Sequence, residues 1–172
     1  MKTKGFTLVE SLVTMTMIAI ISLVMFPFYQ SSRAQLSLDR SASRLAQEIR
    51  LVMERAMSAQ NYTLCTHPNY EYGYGVYLQT GVPGSYSIFA DCNGNKTFDS
   101  GSDKIIEQIS FETGIEIDSL SQNNSFVIFE PPEPSVFITA GDDLANIIIQ
   151  SATYPSKKRT ININKVGLIN ID

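Results

Sequence analysis

Gly5-Phe6-Thr7-Leu8-Val9-Glu10, followed by the uncharged run from Ser11 to Ser32, decides how the rest of the chain is read. No charged residue stands between Glu10 and Arg33. Those 22 residues, at ~1.5 Å rise each, make a rod of roughly 33 Å, about one bilayer core. The stretch therefore predicts a membrane-length helix with a carboxylate at its entrance. An ionisable side chain inside such a segment costs about 2.5 to 3.5 kcal/mol on insertion scales, so Glu10 calls for a partner or a function.

Two plainer readings compete. A secretory signal peptide has the same basic start (Lys2, Lys4) and apolar middle, with Ser32-Arg33-Ala34 as a small-x-small cut site. Against it, the apolar stretch is about twice the usual length, an acid sits at its entrance and an arginine occupies the cut site. A plain single-span anchor is the other alternative.

The short basic leader Met1 to Lys4, Gly5, Phe6, Glu10 and a long apolar helix containing Pro27 together resemble the type IV pilins and the pseudopilins of type II secretion. The resemblance implies that a prepilin peptidase cuts after Gly5 and N-methylates the new terminus at Phe6, leaving a mature chain of 167 residues once the five leader residues are gone. It also gives Glu10 a partner. Cleavage creates a cationic amine at Phe6, and in the family's filaments the carboxylate pairs with the terminal amine of a neighbouring subunit. Buried pairs add little net stability over apolar packing but leave a costly orphan when one member is removed, so the pair reads as a register device.

Pro27 removes one backbone hydrogen bond and should kink or loosen the helix, with Ser22 and Ser31 near enough in sequence to help re-satisfy the freed carbonyl. In family filaments a stretch around this proline can unwind; a simple bend at the membrane exit is the alternative. Beyond it, Leu38, Ala42, Leu45, Ile49, Val52, Met53 and Ala56 draw an apolar stripe at three- and four-residue steps. Arg44/Glu48 and Arg50/Glu54 are spaced for i,i+4 pairs on a solvated face. The expected organisation is a cleaved leader (1–5), one helix (6–60) with a transmembrane assembly half (6–30) and an amphipathic stem (31–60), and a globular head (61–172).

In the head the period becomes strand-like. Strands are expected at Tyr62 to Cys65, Tyr74 to Gln79, Tyr86 to Cys92, Lys104 to Phe111, Ile115 to Leu120, Ser125 to Glu130, Val136 to Thr139, Ala145 to Ala152, Arg159 to Asn164 and Val166 to Ile171. Gly81-Val82-Pro83-Gly84, Asn93-Gly94-Asn95, Pro131-Pro132-Glu133-Pro134 and Gly141-Asp142-Asp143 punctuate them at antiparallel spacing. The fold class is α+β: a long N-terminal helix, half membrane and half amphipathic, packed on an antiparallel β-sheet head, as in pilins. Residues 61–172 carry 6 basic and 13 acidic groups, a net of −7, whereas residues 31–60 carry five arginines against three acids. An acidic head and a basic stem favour stem-to-head contacts between subunits and argue against general nucleic-acid binding.

The basic leader places the head outside the cytoplasm, where disulfides persist. Cys65 and Cys92 can bridge there; free buried thiols, or a zinc site of Cys65, His67 and Cys92 without an obvious fourth ligand, are the alternatives. Asp91, Asn93, Asn95 and Asp99 set oxygens at alternate positions like the start of a calcium loop. However, glycine stands fourth rather than sixth, and Ser102 and Asp103 stand where a closing glutamate is needed, so an Asx-rich turn explains the same residues without a cofactor. The D-x-N-G-N segment and the closing run Arg159 to Ile169 look like the GspH/FimT group of minor pilins and pseudopilins, whose members act near filament tips or in initiation. Some take part in DNA uptake, which makes Lys157, Lys158 and Arg159, beside Tyr154, a candidate phosphate contact, with a solvated turn or a stem contact as the alternative. No nucleophile arrangement around His67, no phosphate loop and no carboxylate pair in an apolar setting points to catalysis. The expected partners are prepilin peptidase, other pilin or pseudopilin subunits and the inner membrane before assembly.

Overall fold

The computed structural model describes residues 7–58, 65, 73–80, 84–120, 126–130, 135–137 and 144–172. Gly5, Phe6, His67, most of the strand expected at Tyr62 to Cys65 and the turns at Pro131 to Pro134 and Gly141 to Asp143 lie outside these residues. Helix α1 runs from Leu8–Met57, 50 residues, with no break at Pro27. Its two halves bury different amounts. From Leu38 onward Leu38, Ala42, Leu45, Ile49, Val52 and Ala56 are buried, as the stripe requires, joined by Ser41 and Ala46, while Met53 is half-buried.

Nine strands follow among the described residues: β1 (Gly73–Gln79), β2 (Ser85–Asp91), β3 (Lys104–Ser110), β4 (Ile115–Leu120), β5 (Phe126–Glu130), β6 (Ser135–Phe137), β7 (Leu144–Ser151), β8 (Lys158–Asn164) and β9 (Ile169–Ile171). All pairings are antiparallel, in two sheets rather than one: a five-stranded sheet of order β3-β2-β1-β5-β6 and a four-stranded sheet of order β4-β7-β8-β9. The stem of α1 packs on both sheets, touching β1 and β5 of the first and β4, β7, β8 and β9 of the second. In β7 the burial alternates along the whole strand, so Ala145, Ile147 and Ile149 face the helix with Ile161 and Ile163 of β8 beside them.

The first sheet is buried on both faces. Tyr74, Val76, Tyr86, Ile88, Val127 and Phe129 join the core under the stem, while Phe89 and Ile128, also buried, lie outside that cluster. Phe98, from the loop after β2, covers this second face, stacked on Tyr77 at 4.3 Å and edge-on to Phe89 at 4.8 Å between ring centroids. Phe89 fills the space over Gly75, its register partner on β1, and a Cβ at Gly75 would overlap the Phe89 ring and stand 3.0 Å from Ile128. Overpacking of this kind costs about 1 to 3 kcal/mol, so Gly75→Val should lower the head's unfolding free energy by about that amount in a denaturant titration.

Strand β9 starts three residues later than the expected Val166. Gly167, at φ +79°, donates its N–H to the Asn164 carbonyl at 2.9 Å, and Leu168 N–H donates to Asn164 Oδ1 at 2.7 Å, so Lys165 and Val166 form the turn between β8 and β9.

Candidate functional site: the N-terminal helix and its contacts with the head

Among the described residues, the lower half of α1 has no packing partner within the subunit. Every large hydrophobic residue from Leu8 to Tyr29 is exposed, and the helix is long and apolar enough to cross a membrane. Its polar groups are handled locally. Thr14, Thr16 and Ser22 hydroxyls donate to the Ser11, Val13 and Ile18 carbonyls, three or four residues back, so that these three are not left bare in an apolar layer. Ser22 is thereby committed to Ile18, and Ser31 offers its carbonyl to the head, so the help expected from these serines at Pro27 takes another form.

Thr7 is the N-cap of this helix. Its Oγ1 accepts the Glu10 N–H at 3.3 Å, which satisfies one of the unpaired donors of the first turn. Glu10 sits at the third helical position, where the helix dipole favours a carboxylate. The Thr-Leu-Val-Glu part of the motif therefore starts the helix as well as carrying the charge. This role of Thr7 was visible as a threonine three residues before a glutamate at the head of an apolar run. Gly5 and Phe6, the expected cut and methylation positions, lie outside the described residues.

Head and stem are tied by polar contacts that charge counting did not locate. Arg159 Nε donates to Asp39 Oδ1 at 2.7 Å, Arg40 pairs with Glu112 at 3.1 Å, and Arg50 donates to the Ile169 carbonyl at 3.3 Å. Lys157 Nζ donates to the Ser31 carbonyl at 2.6 Å, and Lys158 pairs with Asp118 on β4 of its own sheet at 2.8 Å. The expected pairs Arg44/Glu48 and Arg50/Glu54 are absent from the four ion pairs among the described residues. Exposed i,i+4 pairs gain only a few tenths of a kcal/mol, and the carbonyl of Ile169 competes well for Arg50. Within the Lys157 to Arg159 cluster, then, two cations face carboxylates and the third donates to a carbonyl at the base of the stem.

The oxygens of the loop after β2 are used by the loop itself. Asp91, fully buried, accepts Gly94 N–H at 2.8 Å and Lys96 N–H at 2.9 Å through its two oxygens. Asn93 and Asn95 Oδ1 accept the N–H groups two residues on, and Asp99 Oδ2 accepts from the Asn95 amide. Asp103, which spacing had left as a mere departure from a calcium loop, closes the structure by accepting Cys92 N–H at 3.2 Å and Asp99 N–H at 2.7 Å. Burial holds the Asp103 carboxyl above its ordinary range, against the pull of those two hydrogen bonds. Among the described residues no cluster of three or more His, Cys, Asp or Glu is arranged to hold a metal ion. The Asx-rich turn, which needs no calcium, fits this geometry, and it carries Phe98 onto the sheet. Lys96 adopts φ +62°, held there by the Asp91 carboxylate on its N–H.

The structure joins Cys65 to Cys92 in a disulfide, with Cα atoms 5.2 Å apart and a sequence separation of 27. Both sulfurs are thereby withdrawn from the zinc alternative. Under the stem, Ser41 Oγ and Tyr86 OH are buried without a protein partner among the described residues and line a cavity of about 40 Å³. The Tyr86 phenol is pushed up to about 12, chiefly by burial and then by the Glu48 carboxylate. A raised phenol contributes stability that is complete below the unfolded value near 10 and is lost as pH rises toward 12. Phenolate absorbance should therefore show one tyrosine titrating late in the folded wild type, a step that Tyr86→Phe removes.

Comparison with known proteins places these features. Residues 1–26 match the family model described as a prokaryotic N-terminal methylation motif. No curated protein matches the chain in sequence. Two crystal forms of the type IV minor pilin FimU of Pseudomonas aeruginosa share the fold: one at 12% identity and TM-score 0.53, covering 78% of this chain and 92% of that one, the other at 13% and 0.55, covering 85% and 92%. The architecture is thus the pilin fold, one long N-terminal helix on antiparallel sheets. The chain is thus similar to type IV pilins in two respects, the N-terminal methylation motif over residues 1–26 and the fold.

Proposed function

We propose that the chain is a non-enzymatic minor pilin or pseudopilin: a subunit that a prepilin peptidase matures between Gly5 and Phe6, that waits in the cytoplasmic membrane with its head outside, and that enters a filament through α1. The observation that carries this reading is the division of one continuous helix into a buried stem and a fully exposed apolar half preceded by the methylation motif. An exposed apolar face of that length needs lipid first and neighbouring helices afterwards. Removal of the 1–5 leader frees the Phe6 amine as a partner for a neighbour's Glu10, and the 61–172 head supplies the contact surface. A type IV pilus and a type II secretion filament both fit. The DNA-uptake variant gains nothing from the geometry, because Lys158 and Arg159 are already paired. The test is co-purification with sheared filaments from cells that have the peptidase, with the chain confined to the membrane fraction in cells that lack it. Release into the filament fraction without the peptidase would contradict the proposal.

A further inference from the structure

We propose that the small cavity between the stem and β2 is a water site, in which one ordered water joins Ser41 Oγ to Tyr86 OH and fixes the position of the stem on the head. The two hydroxyls belong to different walls. Ser41 lies within the buried stripe of α1, between Leu38 and Leu45, and is 4% exposed. Tyr86 stands on β2, one strand outward from the β1 strand on which the stem packs, and is 1% exposed. Neither oxygen has a protein partner among the described residues, and both residues line the same cavity of about 40 Å³. Buried side-chain oxygens are nearly always hydrogen-bonded, to protein or to ordered water, so two orphans on one cavity call for an occupant that serves both.

Size and charge select water. A water takes about 30 Å³ in the liquid, so the cavity has room for one and is short of two. Each hydroxyl both donates and accepts, as water does. The charges of the wall oppose an ion of either sign. Arg40, one of the lining cations, is neutralised by Glu112 at 3.1 Å, and at the Tyr86 phenol the Glu48 carboxylate outweighs the Arg44 guanidinium, with Glu107 adding to its effect, so an anion is repelled. A cation meets Arg40 and Arg44 in the wall and no carboxylate that is free of a partner. The bridge also gives the stem a direction that its apolar face lacks. Leu38, Ala42, Leu45 and Ile49 make contacts without directional preference, whereas a slip of the helix by one turn carries Ser41 away by ~5.4 Å and leaves both hydroxyls bare. The ion pairs of Asp39 and Arg40 hold the stem from its exposed flanks, and the water holds it from inside.

The test is oxygen-17 magnetic relaxation dispersion on the full chain in neutral detergent, which counts waters held far longer than surface hydration. The wild type should hold one such water more than the double variant Ser41→Ala with Tyr86→Phe. Either substitution alone leaves the water a single hydroxyl, fewer than the two polar partners that a buried water needs, and should release it as well. The single variants therefore decide the matter if the double variant fails to fold, as judged by its disulfide and its thermal unfolding. An unchanged dispersion amplitude in a folded variant overturns the proposal, because the water would then be absent or held by other groups. Loss of the wild-type water when bromide replaces gluconate as the counter-ion also overturns it, since a halide would then be the occupant that the site prefers.

Discussion

Replacing Cys92 with Ser should lower the unfolding free energy of the head by about 3 to 4 kcal/mol, the chain-entropy value for closing a loop of this length. The cross-link ties Cys65, in the segment after the stem, to the end of β2, where Cys92 is buried and its N–H is held by Asp103. The loop that carries Phe98 over the first sheet starts from the same point, so losing the bridge loosens the segment after the helix and the cover of the sheet together. For a head of this size the shift in Tm is roughly 10 to 15 °C. Thermal unfolding of oxidised wild type, reduced wild type and the Ser variant measures it; a variant within ~3 °C of the oxidised protein would show that the bridge constrains little.

Glu10→Val should leave membrane insertion and head stability intact and cut filament incorporation at least a hundredfold. The carboxylate sits in the first turn, capped through Thr7, at the end of a helix half that is exposed among the described residues. Its loss leaves a neighbour's Phe6 amine without a counter-charge in an apolar layer, and breaking a buried pair in this way costs about 3 to 5 kcal/mol. The gain in hydrophobicity from valine does not offset that, because lipid solvates the valine equally well before assembly. The ratio of variant to wild type in the sheared filament fraction, with both expressed in one cell, reads the effect directly. Equal incorporation would mean that Glu10 only caps the helix.

Most of the head was legible from local pattern because β strands advertise themselves by period: the expected Ile115 to Leu120 strand is found with the same ends, and six others agree within one residue at each end. Division into two sheets was not legible. Which strands pair is decided by long-range packing around the stem, and nothing in the residues of β4 says that it leaves its neighbour β3 to join β7. The stem's apolar stripe predicted its buried face almost residue for residue, since helical period and burial are one geometric fact. The cations of Lys157 to Arg159 were read as exposed because charge in a loop normally is. Their partners, Ser31, Asp118 and Asp39, are 126, 40 and 120 residues away in sequence. Asp91 and Asp103 escaped for a related reason. Buried acids are rare, and only the surrounding N–H groups, which sequence does not place, make them tolerable.

The central claim is that the chain is cut after Gly5 and enters a filament by its new N-terminus, and an N-terminal mass spectrum of the protein isolated from its own membrane tests it most directly. The account predicts a mature chain of 167 residues beginning at N-methylated Phe6. An intact Met1, or a terminus at the small-x-small site near Ala34, would contradict it.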